Sequence, residues 1–335
     1  MDMTFIHADS DRVELGVLSE IREADIEIED SPTATVNDNS FSITLDENVW
    51  AADPINVGDY VYAPGTEFGG IVTELQHSTS GKSVVLLGAT WRGMLLQKVI
   101  EPPSGEAYKV ITDVDANAAI LAVVGTSFGD LFSVSGSSSG TNVSGSWRYD
   151  TYGIGLYKVL SKYGLRLNVT YDNEQDAVLL SALPIVDYSD EIDLSQDYGV
   201  DFTSQSGRME QYNRCIGLGR GELTERDVVS VYRVGNTFYT AQPAGWSVED
   251  ERTIVLDYPN AETTDELTAS ALQRLLEYAP EQSISIDQIA ASVDIQMGDI
   301  VGARDRLTGM VAKSAIIRKI LTIREGVLQI EAKAG

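Results

Sequence analysis

From Asp25 to about Ile100 the chain alternates apolar and polar residues in short, turn-bounded runs. They fall at Ile26–Ile28, Phe41–Leu45, Tyr60–Tyr62, Gly70–Leu75 and Ser83–Leu87. A period of two over such runs predicts strands with one buried face, so this segment is β-rich. Asp46–Trp50 has the composition of the turn after a strand, with Trp50 as a core or rim anchor, because an indole buries more area than any other side chain.

After Pro102-Pro103 the period changes. Asp113–Val124 is predicted helical, with Thr112 as its cap and Gly125 at its end. A second helix is predicted over Thr151–Tyr163, where Tyr152, Leu156, Val159, Leu160 and Tyr163 share one face and Gly164 supplies the stop. Leu165–Tyr171 then alternates, turns through Asp172–Gln175 and returns at Ala177–Leu180, so helices and a hairpin together predict a compact α+β insert. Between the helices, Ser135–Gly145 has the Ser/Gly composition of a flexible surface loop.

Strand character returns from Gly199. Val229–Val234 and Thr237–Thr240 flank Gly235-Asn236, a two-residue hairpin signal. Thr263 with Glu266 three residues on forms a capping box. Leu267, Ala271, Leu275 and Leu276 continue it as an apolar face, and Pro280 lies just beyond. The chain closes with strands predicted over Ile316–Ile323 and Val327–Ile330, joined by Glu325-Gly326.

Two of these stretches repeat each other. Ile55-Asn-Val-Gly-Asp-Tyr-Val-Tyr-Ala63 matches Ile295-Gln-Met-Gly-Asp-Ile-Val-Gly-Ala303, and at the same offset Gly69 and Ile71 fall opposite Gly309 and Val311. Each copy reads as a tight turn (Gly58-Asp59, Gly298-Asp299), a strand, a loop ending at a glycine (Gly69, Gly309) and a second strand. The expected fold is mainly β with α+β character: two similar small β-barrels and an inserted α+β domain. The expected segments are 1–100, with strands from 199–225 available to complete it, then 101–198, and 199–335 carrying one helix near 263–279.

Composition narrows the chemistry. The 335 residues are 43% apolar, enough for real cores, and carry a formal charge of -27. That balance argues against specific nucleic-acid binding, which needs clustered Lys and Arg. It does not oppose transient passage of DNA, because a negative wall repels phosphates. Only eight of the 24 basic residues are lysines, so a saline host would explain the acidity equally well. No apolar run is long enough to cross a membrane, and Met1–Asp9 lacks the pattern of a secretory signal, so a soluble protein made in a cytoplasm and not inserted in a membrane is expected.

Catalytic signatures fail on spacing or setting. Ser80-Gly81-Lys82-Ser83 lacks the upstream glycine of a phosphate-binding loop and is better read as a hairpin turn. Gly136–Gly140 fits the nucleophile-elbow spacing but sits in low-complexity sequence. Gly217-Leu-Gly219-Arg-Gly221 lacks the dinucleotide-binding spacing. The two histidines, His7 and His77, lie in polar surroundings that predict surface positions, and neither has a His or Cys at metal-ligand spacing. Cys215 alone cannot form an internal disulfide and is expected to be a buried thiol. No enzyme activity, cofactor or metal is expected.

Val57–Val61, Gly70–Glu74, Leu87-Gly-Ala-Thr-Trp-Arg-Gly-Met-Leu-Leu96, Ile100–Pro103 and the Gly298–Val311 unit together resemble the tail hub (baseplate hub) proteins of tailed viruses of prokaryotes. The resemblance implies a structural virion protein, a homotrimer at the tail tip, in which two similar barrels per subunit adapt a sixfold tube to a threefold tip and line part of the DNA ejection channel. It implies tail tube protein as a partner, with distal tail, fibre or tape-measure proteins beside it, and assembly in the host cytoplasm. The alternatives are a tail-tip hydrolase or peptidase, and a host-glycan receptor module that would present Trp147, Tyr149 and Tyr152.

Overall fold

The computed structural model describes residues 3–18, 20–189, 193–194, 201–205, 212–234, 237–259, 261, 263–277, 283–289, 295–304 and 311–334. The first hundred residues form β1 (Phe5–Ala8), β2 (Glu14–Leu18), β3 (Ile21–Glu29), β4 (Ser40–Asp46), α1 (Glu47–Ala52), β5 (Tyr60–Tyr62), β6 (Gly69–Ser78), β7 (Ser83–Thr90) and α2 (Trp91–Leu96). Alternation sets the faces. In β4, Phe41, Ile43 and Leu45 are buried while Ser42 and Thr44 are half-buried, and the inward set packs against Phe5, Ile26, Ile28, Val61, Val72 and Leu86. The stretch expected as a turn at Asp46–Trp50 is instead the start of α1. A six-residue helix is too short to display a 3.6-residue period in its sequence, and Trp50 anchors it by donating its Nε1–H to the Ile55 carbonyl (3.0 Å).

The insert contains β8 (Lys109–Asp115), α3 (Ala116–Val124), β9 (Phe132–Val134), β10 (Asn142–Trp147), α4 (Tyr152–Leu160), β11 (Leu165–Asp172) and β12 (Ala177–Pro184). Helix α3 begins three residues later than its sequence predicts. Thr112–Asp115 completes β8, and Asp115 rather than Thr112 is the cap, accepting from the Asn117 amide at 3.0 Å. The Ser/Gly-rich segment is also more ordered than its composition predicts. Ser138 and Ser139 donate their hydroxyls to Asp115 Oδ2 at 2.8 and 2.9 Å, and Asn142–Trp147 pairs with β8. Helix α4 follows expectation: Thr151 caps it, and Gly164 ends the following turn at φ +68°. Leu165, Leu167, Val169 and Tyr171 on β11 share a core with Ile120, Trp147, Leu156 and Val178.

Next come β13 (Asp193–Leu194) and β14 (Asp201–Gln205). Residues Ser204–Ser283 form a compact unit of their own. Its strands β15 (Arg214–Leu218), β16 (Val228–Val234), β17 (Thr237–Tyr239) and β18 (Thr253–Asp257) lie in the order β17-β16-β15-β18. Helix α5 (Thr264–Glu277) lays Ala271 and Leu275 on Cys215 and Val231, and its Thr263 Oγ1 accepts from the Glu266 amide at 3.1 Å. Val234 faces Thr237 across the hairpin, while the link Gly235-Asn236 and Pro280 lie outside the described residues.

The other compact unit joins Met1–Thr203 to Ile284–Gly335. Its last strands are β19 (Ser283–Ile289), β20 (Ile300–Arg304), β21 (Val311–Arg324) and β22 (Val327–Ala334). The stretch 199–335 therefore contributes to both units. One sheet runs β14-β19-β22-β21-β3-β4-β7-β6-β5-β1-β2, with β20 added to β21 and β13 to β20. The fold is mainly β with an α+β insert, but among the described residues this sheet does not close into two barrels. The reason is β21: beyond the stretch that holds β20, its residues Arg318–Arg324 pair with β3 and so splice the late strands onto the early ones.

Candidate functional site

The repeat is a structural repeat down to individual hydrogen bonds. In the first copy the Gly58 amide donates to the Val72 carbonyl (2.8 Å), the Val72 amide to the Asp59 carbonyl (2.8 Å) and the Asp59 amide to the Asn56 carbonyl (3.2 Å). In the second, the Gly298 amide donates to Ile316 (2.7 Å), the Ile316 amide to Asp299 (2.8 Å) and the Asp299 amide to Gln296 (3.1 Å). In both, the aspartate Oδ2 accepts from the amide three residues earlier, Asn56 at 2.7 Å and Gln296 at 3.0 Å. Gly58 and Gly298 sit at φ +99° and +84°, where an L side chain is strained, which is why glycine recurs.

The correspondence shifts after the turn. Tyr62 pairs with Gly69, whereas Gly302 pairs with Lys313. Lys313, four residues past Gly309, is thus the register counterpart of Gly69. The loop in the second copy is longer, and Gly309 itself lies outside the described residues. Gly69 has its own reason to be glycine: a Cβ there would stand 2.4 Å from the Tyr62 Cβ.

The two aspartates share a backbone role but take different partners. Asp59 Oδ2 faces His7 Nε2 at 3.1 Å, and His7 Nδ1 faces Asp53 Oδ2 at 3.2 Å. His7 is fully buried, not the surface residue its polar neighbours predict, because long-range pairing places β1 against β5. Carboxylate oxygens only accept, so both contacts are hydrogen bonds only when both ring nitrogens carry protons. Asp299 Oδ1 instead accepts from the Val186 amide (3.1 Å) and faces Arg166 Nε at 3.5 Å. The second turn is covered by the insert and the first is open: Met297 is buried, whereas its counterpart Val57 is 59% exposed.

A buried ionic network ties these parts together. Arg92 Nη1 lies 3.0 Å from Asp30 Oδ2, and Arg92 Nη2 donates to the Leu167 carbonyl (2.9 Å) and faces Glu67 Oε2 at 3.3 Å. Glu67 Oε1 meets Lys319 Nζ at 3.3 Å, and Lys319 also donates to Gln296 Oε1 at 3.1 Å. Burial pushes the Asp30 carboxyl above its ordinary range against the pull of Arg92. Burial likewise works against the Arg92 charge, but Asp30 and Glu67 outweigh it and hold the guanidinium firmly protonated. Sequence reasoning missed this network because its members lie on distant segments and carry no local pattern.

Other candidates resolve as structure. Trp147 and Tyr152 are core residues, the indole donating to the Gly155 carbonyl (2.8 Å) and the phenol paired with the Ser127 hydroxyl (2.6 Å); of the three aromatics considered for glycan stacking, only Tyr149 is exposed. An open cleft of about 510 Å³ is lined by Arg12, Tyr60, Lys98, Phe128 and Asp130. Its cations are already engaged, Arg12 with Asp130 at 2.8 Å and Lys98 with the Ser127 carbonyl at 2.5 Å. Cys215 is fully buried, and burial pushes its thiol up, so its ordinary reactivity is suppressed.

This architecture recurs in solved structures. The 43 kDa tail protein of prophage MuSo2 from Shewanella oneidensis superposes with a TM-score of 0.61 at 10% identity, over 99% of this chain and 98% of that one. The prophage tail protein gp18 from Listeria monocytogenes EGD-e gives 0.54 at 13% identity, over 99% and 94%. A chain of the phage P2 baseplate in its activated conformation gives 0.51 at 11% identity, over 99% and 98%. This is the fold of phage tail proteins. No family model matches the chain, and no curated protein matches its sequence. The likeness covers 99% of this chain, so it takes in the duplicated hairpin unit, the spliced sheet and the α+β insert together.

Proposed function

We propose that this protein is a structural, non-enzymatic component of a viral tail tip or baseplate, a hub that assembles as a homotrimer. The observation that carries the proposal is the duplication. The first copy orders its strands β3-β4-β7-β6-β5-β1 and the second β14-β19-β22-β21-β20-β13, and each follows the same chain order. The last strand joins antiparallel in the first copy and parallel in the second. Two equivalent units per chain give a trimer six near-equivalent positions, which matches a sixfold tube to a threefold tip. The fold shared with tail and baseplate proteins supports the same assignment.

In this reading the trimer encloses part of the DNA ejection channel. The charge of -27 keeps phosphates from sticking to its wall. Its neighbours are tail tube protein and other tip proteins, and it resides in the virion tail. The test is solution mass by light scattering in low and molar salt, followed by titration with tail tube protein. A trimer that binds tube protein is expected, and a monomer at every concentration that ignores tube protein overturns the proposal.

A further inference from the structure

Equating the two copies strand by strand exposes a difference at one edge. Val72 and Ile316 hold the same turn hydrogen bonds, so Glu74 corresponds to Arg318. A β-bulge confirms this alignment independently: the register of β6 against β7 slips between Val72 and Glu74, and that of β21 against β22 slips between Ile316 and Arg318. Beyond the bulge, β21 has neighbours on both sides, β22 on one and β3 on the other through Arg318–Arg324. The corresponding stretch of β6, Glu74–Ser78, pairs with β7 but has no strand on its other side among the described residues. Four of its five residues are exposed, Leu75 alone being half-buried.

The occupant of that edge follows from the same correspondence. The strand covering β21 is β3, the outermost strand of the first copy, next to β4. Its counterpart in the second copy is β14, which ends the sheet path next to β19. The operation that lays β3 on β21 therefore lays β14 on β6. Within one chain β14 is at the far end of the sheet, so the β14 that covers β6 belongs to another copy. Length agrees: five residues, Asp201–Gln205, meet five, Glu74–Ser78.

Charge agrees as well. Arg318 binds Glu27, Glu29 and Asp38, and Arg324 binds Asp25, so a basic β21 meets an acidic β3 carrying Glu23, Asp25, Glu27 and Glu29. Glu74–Ser78 contains no Arg or Lys, and β14, Asp201-Phe-Thr-Ser-Gln205, carries one acid in place of four. An acidic strand such as β3 would be repelled by Glu74, whereas β14 has mostly neutral polar residues to offer.

We propose that β14 of one copy adds antiparallel to the Glu74–Ser78 edge of β6 in the next copy, repeating between subunits the β3–β21 junction made within each. The contact joins unlike surfaces, so it propagates head to tail, and under the threefold rotation of the trimer reading it closes as a ring. This rests on the trimer reading and names the edges that build it.

Disulfide trapping tests it in the full chain. Gln76→Cys is combined in turn with Phe202→Cys, Thr203→Cys and Ser204→Cys, since a disulfide tolerates only a narrow Cβ separation. At least one pair is expected to give species up to three times the chain mass on non-reducing gels. Mixing the corresponding single variants should stop at dimers. A trimer by light scattering that no pair crosslinks, or in which those amides of Glu74–Ser78 that point away from β7 exchange hydrogen as fast as in exposed loops, overturns the edge pairing and leaves the trimer standing. A protein that stays monomeric at every concentration and ignores tail tube protein overturns both.

Discussion

Asp59 and Asp299 stand 240 residues apart in sequence and occupy one position in two copies of a turn, each closing its own backbone and each buried. Their outward contacts set different costs for removal. Asp299→Ala removes the buried carboxylate facing the Arg166 guanidinium, whose side chain is only 10% exposed, and the acceptor of the Val186 amide. It should cost about 3–5 kcal/mol, the range for breaking a buried ion pair. Asp59→Ala leaves His7 one remaining carboxylate, Asp53, and should cost about 1–3 kcal/mol. Urea unfolding of the two variants checks the order.

Gly58→Ala and Gly298→Ala separate backbone strain from crowding. Both force a side chain into positive φ, at about 1–3 kcal/mol. Only at Gly298 does the new Cβ also meet a neighbour, the Arg166 Cβ at 3.0 Å, while at Gly58 it meets open space. Gly298→Ala should therefore lower the thermal midpoint further than Gly58→Ala, and equal shifts would mean that crowding contributes nothing.

Arg92→Ala should be among the most damaging single substitutions in the chain. It leaves Asp30 buried without its ion-pair partner beside Glu67, which keeps only Lys319, at about 3–5 kcal/mol. Adding Asp30→Asn to Arg92→Ala removes the stranded charge and should recover part of that loss. Chemical denaturation of the single and double variants decides it, and a double variant no better than the single would place the cost in lost packing.

At Asp115, burial works to raise the carboxyl, but hydrogen bonds from Ser138, Ser139 and the Asn117 and Ala118 amides prevail and bring it from 3.8 down to about 2. A carboxyl that titrates lower folded than unfolded stabilises the fold fully above its unfolded value. The contribution fades as pH falls from 3.8 through about 2. Asp115→Asn keeps a capping group without the charge, so it should be less stable than the parent at pH 7, with the gap closing as pH falls and disappearing well below pH 2. A gap that stays constant with pH would exclude the carboxylate as its source.

What the chain declares locally, it declares well. The alternation of Phe41–Leu45, the Thr151 and Thr263 caps and the φ-positive glycines of the two turns depend on neighbours within a few residues, and sequence carries them directly. What it hides is pairing at a distance. His7 looks exposed until β1 meets β5, and Arg92 looks unremarkable until the segments carrying Asp30, Glu67 and Leu167 converge on it. The position opposite Gly69 moves to Lys313 because a loop length, which no periodicity encodes, differs between the copies.

The β3–β21 junction also sets a timetable for synthesis. Arg318 and Glu29 are 289 positions apart, so at roughly 5–20 residues per second β3 waits on the order of 15–60 s on the ribosome for its second neighbour. During that interval an open strand edge is a template for pairing with other nascent chains. The acids at Glu23, Asp25, Glu27 and Glu29 give two such edges reason to repel each other. The residues that later bind Arg318 and Arg324 thus also protect the unfinished protein from its own copies.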